Sequence, residues 1–461
     1  MKKIISLLLC ALALLTVFSA CKGDPPGESG PPENDGAENS SQASFLEETP
    51  SVRPLRLCVD LSAGRMTDLS HLRGYSDKKI LDDFLKTVAE KGGPTDIEVE
   101  LLPQENGSER QSELNRIRVE IMSGAGPDIF LTGCIRPDTD AGRQALFQFP
   151  DQAMRRGLFL NLDSYIETAR FMEWDKLTPA VMDAGKTQDG QFLLPLAYFF
   201  PLTYFRSDDV QPYPASTAWA QVAEGNDPVL GASMEPILAG LTPYWNGPDL
   251  LSYTWKELAD YDSGSLLLSE EDLLQRAEEA LALAENNETD LPHFREVMER
   301  DTLNPELPSD PGRDALRQGI THKDAVTMIP LYCDQGGAVV PIRAFAGINA
   351  STERPEDAFF VLDVLLSKAV QKDSPLYEPW RYFAMPVHEE ISLGQSAKNV
   401  SAYGEARSQI AAARFPTPLD SIINTAMFEY QLRREENPAE ANLKELLSEA
   451  YGSMKTALDE S

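Results

Sequence analysis

The 461-residue chain is poor in the residues that usually announce chemistry. It has four histidines, His71, His293, His322 and His388, widely spaced and without an HExxH pattern, so a zinc hydrolase is not indicated. None of its five cysteines forms a CxxC pair, which removes the zinc knuckle and the disulfide framework. Among Cys58, Cys134 and Cys333 one bridge stays open, and buried free thiols are the expectation. No GxSxG elbow occurs. "AVMDAGKT" (180–187) has the tail of a phosphate loop, but Ala180 stands where its first glycine belongs, and it reads as a polar turn. "DTDAG" (138–142) lacks the third oxygen ligand of a calcium loop. Basic residues are scarce too: 41 against 73 acidic, a formal net charge of −32. A field of that sign argues against nucleic acid and against electrostatic adhesion to anionic lipid. No long apolar run follows residue 20, so no membrane-spanning helix is expected. No cofactor or metal is expected either. Carboxylates are too abundant for a glycosidase pair to be singled out, so a surface glycan-degrading enzyme stays open as an alternative.

The chain does have a strongly marked start. Lys2 and Lys3 precede an almost unbroken aliphatic run, Ile4 to Val17, too short to span a membrane. Phe18-Ser19-Ala20-Cys21 then resembles the bacterial lipobox, although a phenylalanine takes the first position. That resemblance implies a signal peptide over 1–20 and a lipid on Cys21. The other reading is an ordinary secretory signal with an incidental cysteine. Residues 22–50 are rich in Gly, Pro, Ser and acids, with little to bury, so 21–52 is expected to be a disordered tether. Its root-mean-square reach would be roughly 30 Å.

From residue 53 the pattern changes. "LRLCVDL" (55–61) reads as a buried strand. Ile80, Leu81, Phe84, Leu85 and Val88 make one face of a helix over 77–91, and Gly92-Gly93-Pro94 stop it. "IEVELL" (97–102) alternates, with Ile97, Val99 and Leu101 on one side. Ser108 is a candidate cap for a helix with Leu114, Ile117, Ile121 and Met122 on its stripe, and "GPDIFLTG" enters a third strand. Strand, helix, strand, helix, strand at this spacing builds a mostly parallel sheet covered by helices. Ligands of such sheets bind beyond the carboxyl ends of the strands. About 410 residues follow the tether, more than one core usually serves, so two lobes are expected. Within 210–320 the sequence is hard to place. Ser269 with Asp272 forms a capping box for a helix over 270–285.

"LNRIRVEIMSGAGPDIFLTG" resembles the helix–Gly-x-Gly-Pro-Asp–strand passage of extracellular solute-binding proteins of ABC importers, the maltose-binding type. Three further passages match in the same order. "GKTQDGQFLLPLAYFFPLTYFRSD" resembles the first crossover between lobes. "VVPIRAFAGINASTERPEDAFFVLDVLLSKAVQ" resembles the second. "FPTPLDSIINTAMFEYQL" resembles the helices that close the second lobe. The resemblance implies an α/β, two-lobed periplasmic-binding-protein type II clamshell, each lobe a mixed, mostly parallel sheet flanked by helices. Lobe one would hold 53–196 plus 342–372, and lobe two 197–341 plus 373–461. It implies a lipid-anchored monomer on the extracytoplasmic face of the cell membrane. That protein would capture a small solute, most commonly a carbohydrate, for ABC permease subunits, without catalysis. A sensor or adhesion lipoprotein is a further alternative.

Candidate ligand residues follow from position. Asp60, Ser62 and Arg65 end the first strand; Thr132 and Arg136 end the third; Tyr332 and Asp334 follow "AVTMIPL". Carboxylates accept from two hydroxyls at once, which suits hydroxyl-rich ligands, whereas Arg65 or Arg136 would suit an anionic one. Tyr198, Phe199, Phe200 and Tyr204 follow the first crossover, and Trp245, Trp255, Trp380 and Tyr382 fall in the second lobe. Aromatic faces suit the C–H faces of sugars, but alternate positions of "YFFPLTYF" must face a strand's core. Thr132 and Asn424 stand where the maltose-binding protein carries tryptophans, which sets maltodextrin itself aside.

Overall fold

Strand and helix alternate from Arg53 as the periodicity dictates. The computed structural model describes residues 53–60, 77–103, 107–134, 145–207, 210–238, 250–286, 324–377, 384–391 and 399–461. β1 (Leu55–Asp60), α1 (Asp77–Glu90), β2 (Ile97–Leu101), α2 (Ser108–Met122) and β3 (Ile129–Gly133) open the order. Both β2 and β3 pair parallel with β1, which lies between them. α1 buries Ile80, Leu81, Phe84 and Val88, and Gly92, at φ +88°, takes the left-handed turn that ends it. α2 departs from expectation in two details. Gly107 caps it and Ser108 is its first helical residue, with no side-chain cap. Met122, expected on the stripe, is 85 % exposed; the buried stripe runs Arg110, Leu114, Ile117, Ile121. Leu101 is 40 % exposed because β2 is a sheet edge.

The order continues with α3 (Pro150–Arg155), β4 (Leu193–Tyr198), β5 (Leu202–Arg206), α4 (Pro228–Leu238) and α5 (Glu270–Asn286). Then come β6 (Val326–Pro330), β7 (Ala338–Ile348), α6 (Pro355–Leu365), β8 (Met385–Pro386) and α7 (Val400–Arg407). β9 (Ile410–Arg414), α8 (Pro418–Glu436) and α9 (Leu443–Asp459) complete it. The main sheet is seven-stranded, in the order β8-β4-β7-β3-β1-β2, with β9 joined to β7. β7 runs antiparallel to β3 and β4, so the sheet is mixed.

Two hydrophobic cores are present. The first fills the main sheet and its helices, around Leu57, Phe84, Ile117, Phe130, Leu194 and Ile348. The second is built largely by helices, around Trp219, Leu273, Ile423, Met427, Leu447 and Met454. Between them lies a ribbon, β5 paired antiparallel with β6. Its alternate residues face opposite ways: Leu202, Tyr204, Val326 and Met328 join the first core, Phe205 and Ile329 the second. This is the expected α/β architecture with a mixed, helix-flanked sheet; beside the second core the described strands are the β5–β6 pair and one short hairpin, 259–260 with 265–266, rather than a second parallel sheet.

The chain crosses between cores more than once. At β4–β5 the alternate residues Tyr198 and Phe200 face the first core and Phe199 the second, and from Phe205 to Leu283 the buried apolar residues belong to the second. Leu331, Tyr332 and Cys333 lie in the second core; in β7, Ala338, Val340 and Ile342 face the first and Val339 the second. Of residues 373–461, assigned from sequence to the second lobe, Leu376, Met385, Tyr403 and Phe415 pack into the first core. β8 pairing with β4 and β9 pairing with β7 hold them there, and the chain enters the second core at Leu419. Cys58, Cys134 and Cys333 are free, buried thiols. Among the described residues no helix is long and apolar enough to cross a membrane.

Candidate ligand-binding site

The carboxyl ends of β1 and β3 and the crossing strands β4 and β7 meet where the two cores abut. Asp60 and Thr132 are register partners on β1 and β3, and Thr132 is opposite Phe345 on β7. Two residue pairs further on, the Cys134 amide donates to the Arg343 carbonyl at 2.8 Å. The Phe199 amide in turn donates to the carbonyl of Pro341 at 2.9 Å. This places Asp60, Thr132, Tyr198 and Phe199, all named from sequence, along one seam.

Their environments differ. Asp60 is buried and takes a bidentate ion pair from the equally buried Arg110, at 2.7 and 3.2 Å. Arg110 also donates to the Pro103 carbonyl at 2.9 Å. Asp60 therefore serves the protein: taking it for a ligand would leave a buried guanidinium without its countercharge. Tyr198 is fully buried, its hydroxyl 2.8 Å from that of Tyr403, and burial pushes both phenols above their ordinary range. Phe199 is buried with the Arg343 guanidinium 5.1 Å from its ring centre. Thr132 is 3 % exposed, and its hydroxyl finds no hydrogen-bond partner among the described residues.

A second group gathers around 254–256 and 332–337. The Asp334 amide donates to the Thr254 carbonyl at 2.9 Å, and the exposed Asp334 carboxylate accepts from the Lys256 amide at 3.0 Å. Tyr332 is buried, its hydroxyl donating to Gln409 at 3.0 Å, with the phenol raised by desolvation. Trp255 is buried beneath the Arg276 guanidinium, 4.5 Å from its ring; the same cation lies 5.2 Å from Trp219. Arg276 is fixed by donating to the Thr254 carbonyl and hydroxyl at 2.7 and 2.8 Å. Trp255 and Tyr332 are thus engaged in packing, and Asp334 alone of the three offers an exposed polar group. Ser62, Arg136, Trp245 and the lipidation candidate Cys21 lie outside the described residues.

The sequence reading passed over Arg343. Its signal was legible: one cation inside "AVVPIRAFAGI", an otherwise apolar strand buried along its whole length. Arg110 carried a weaker one, its spacing of four from Leu114 on the α2 stripe.

No family model matches the chain, and no curated protein matches it. Solved structures do resemble it. An extracellular solute-binding protein family 1 member from Alicyclobacillus acidocaldarius aligns over 88 % of this chain and 98 % of its own, with 13 % identity and a TM-score of 0.49. The ABC substrate-binding protein Lmo0181 from Listeria monocytogenes, in complex with cycloalternan, aligns over 88 % and 99 %, with 14 % identity and a TM-score of 0.46. A de novo designed cysteine esterase, ECH19, aligns over 88 % and 98 %, with 12 % identity and a TM-score of 0.50.

Proposed function

We propose that the chain is the solute-binding component of an ABC importer, tethered outside the cell by lipid on Cys21. It would hold a saccharide at the seam between its two cores and pass it to a membrane permease. The observation that carries this reading is the repeated crossing of the chain between cores at β4–β5, β7 and Phe415–Leu419, beside a strand-end polar and aromatic row. Strands that run from one core to another are natural hinges. A ligand touching both sides makes contacts in a closed form that an open form lacks, and so shifts the population toward closure. Asp334, Thr132 and Phe199 are the proposed ligand contacts within the described residues, with Ser62, Arg136 and Trp245 retained from the sequence.

A thermal-shift screen of the purified chain across mono- and oligosaccharides, uronates and peptides tests it. At a hundredfold excess over Kd a ligand adds about 2.7 kcal/mol, a rise of a few °C in Tm. The ligands named for similar structures, among them cycloalternan, mannotriose, maltotetraose and tagatose, are sensible first compounds. A saccharide that raises Tm and is recovered intact supports the reading. Release of a cleaved product, or no shift with any saccharide, defeats it.

A further inference from the structure

We infer that the seam is built for a saccharide carrying a carboxylate, received by Arg343; this rests on the saccharide reading above. Arg343 is 7 % exposed, in a strand whose other residues are almost all apolar and buried. A guanidinium is expensive to bury, and any aliphatic side chain would complete such a strand more cheaply. Its place on the strand is irregular as well. Against β4 the register of β7 slips and recovers around it: Ile342 pairs with Tyr198, Ala344 with Ala197 and Phe345 with Pro195.

What surrounds it fits a planar anion. The Phe199 ring lies 5.1 Å from the guanidinium carbon, a cation–π contact that favours keeping the charge here. The fork carries five N–H donors, enough to serve partners within the protein and a two-oxygen acceptor besides. On the adjoining strand the register puts Thr132 two residues from Cys134, the residue opposite Arg343, and on the same face. The Thr132 hydroxyl is buried and unpartnered among the described residues, so a ligand oxygen there would complete it. A fork able to take two oxygens and a hydroxyl diagonal to it on the same sheet face match the carboxylate and a hydroxyl of a uronic acid. The net charge of −32 repels such a ligand at long range, so recognition must come from this local cation.

Calorimetric titration of the purified full chain with a panel of oligouronates, each beside its neutral methyl ester, decides the matter. The acid should bind at least tenfold more tightly than its ester. Arg343→Gln should abolish that ratio by weakening the acid alone, and Arg343→Lys should keep part of it. If Arg343→Gln does not fold, the wild-type ratio and Arg343→Lys carry the decision. Equal binding of acid and ester, or equal weakening of both by Arg343→Gln, would overturn the assignment and leave Arg343 a strand-positioning group. Binding of neutral oligosaccharides without any uronate would overturn it while the saccharide reading stands. No binding by any saccharide would remove both.

Discussion

At the scale of single residues, Thr132 separates stability from function. A buried hydroxyl without a partner keeps its desolvation cost, about 1–3 kcal/mol, with no hydrogen bond to offset it. Thr132→Val preserves shape and removes that cost. The variant should unfold at the same or a higher midpoint, by up to about 1 kcal/mol in urea titrations, and bind the ligand found by screening several-fold more weakly. Loss of stability with affinity unchanged would show that the hydroxyl serves the fold. Side chains at this scale were the least legible part of the chain. Tyr198 meets Tyr403 across 205 positions and Asp60 meets Arg110 across 50, and no local pattern encodes such pairs. What could be read was position, since strand ends named Asp60 and Thr132 and the first crossover named Tyr198. What each side chain does there depended on partners that only folding reveals.

Elements were read more securely, because period and caps are local. α1 and its buried stripe, the parallel pairing of β2 and β3 on either side of β1 and the Ser269–Asp272 box at the start of α5 all appear as spacing dictates. Met122 escaped because it lies one residue past Ile121, about 100° around the helix from the stripe. α8 shows how an element end becomes a tertiary staple. Thr417 and Asp420 form its capping box, the Thr417 amide and hydroxyl donating to Asp420 at 2.8 and 3.1 Å. The other carboxylate oxygen of Asp420 accepts from Ser252 at 2.6 Å and pairs with Arg414 at 2.9 Å, tying the helix to β9 and the 251–254 turn. The two cap residues should therefore differ in cost. Thr417→Ala removes a cap alone and should cost about 0.5–2 kcal/mol. Asp420→Ala also strands a largely buried guanidinium and should cost about 3–5 kcal/mol. Chemical denaturation of both variants measures the gap; equal losses would mean the Arg414 pair contributes little.

Across the whole molecule, α3 is where the two cores lock and where pH should be felt. Phe149, just before it, enters the second core and meets Tyr261 edge-on at 6.2 Å, while Ala153 and Met154 enter the first. Between them Asp151 is half-buried, near Arg155 and Arg414 as well as Glu257 and Tyr261. Desolvation outweighs the two arginines and raises its carboxyl to about 6. An unfolded aspartic acid titrates near 3.9, so the native state favours the neutral acid. The stability this contributes is complete below the unfolded value and is lost as pH rises through about 6. Asp151→Asn mimics the neutral form at every pH. It should match the wild type near pH 4 and exceed it at pH 7.5, by about 1–3 kcal/mol. Repulsion among the many other carboxylates also relaxes on acidification, but it is shared by both proteins and cancels in their difference. Urea unfolding of the pair at the two pH values gives that difference directly. A gap that does not change with pH would mean that Asp151 ionises freely, and that the junction between the cores is wetter than its packing implies.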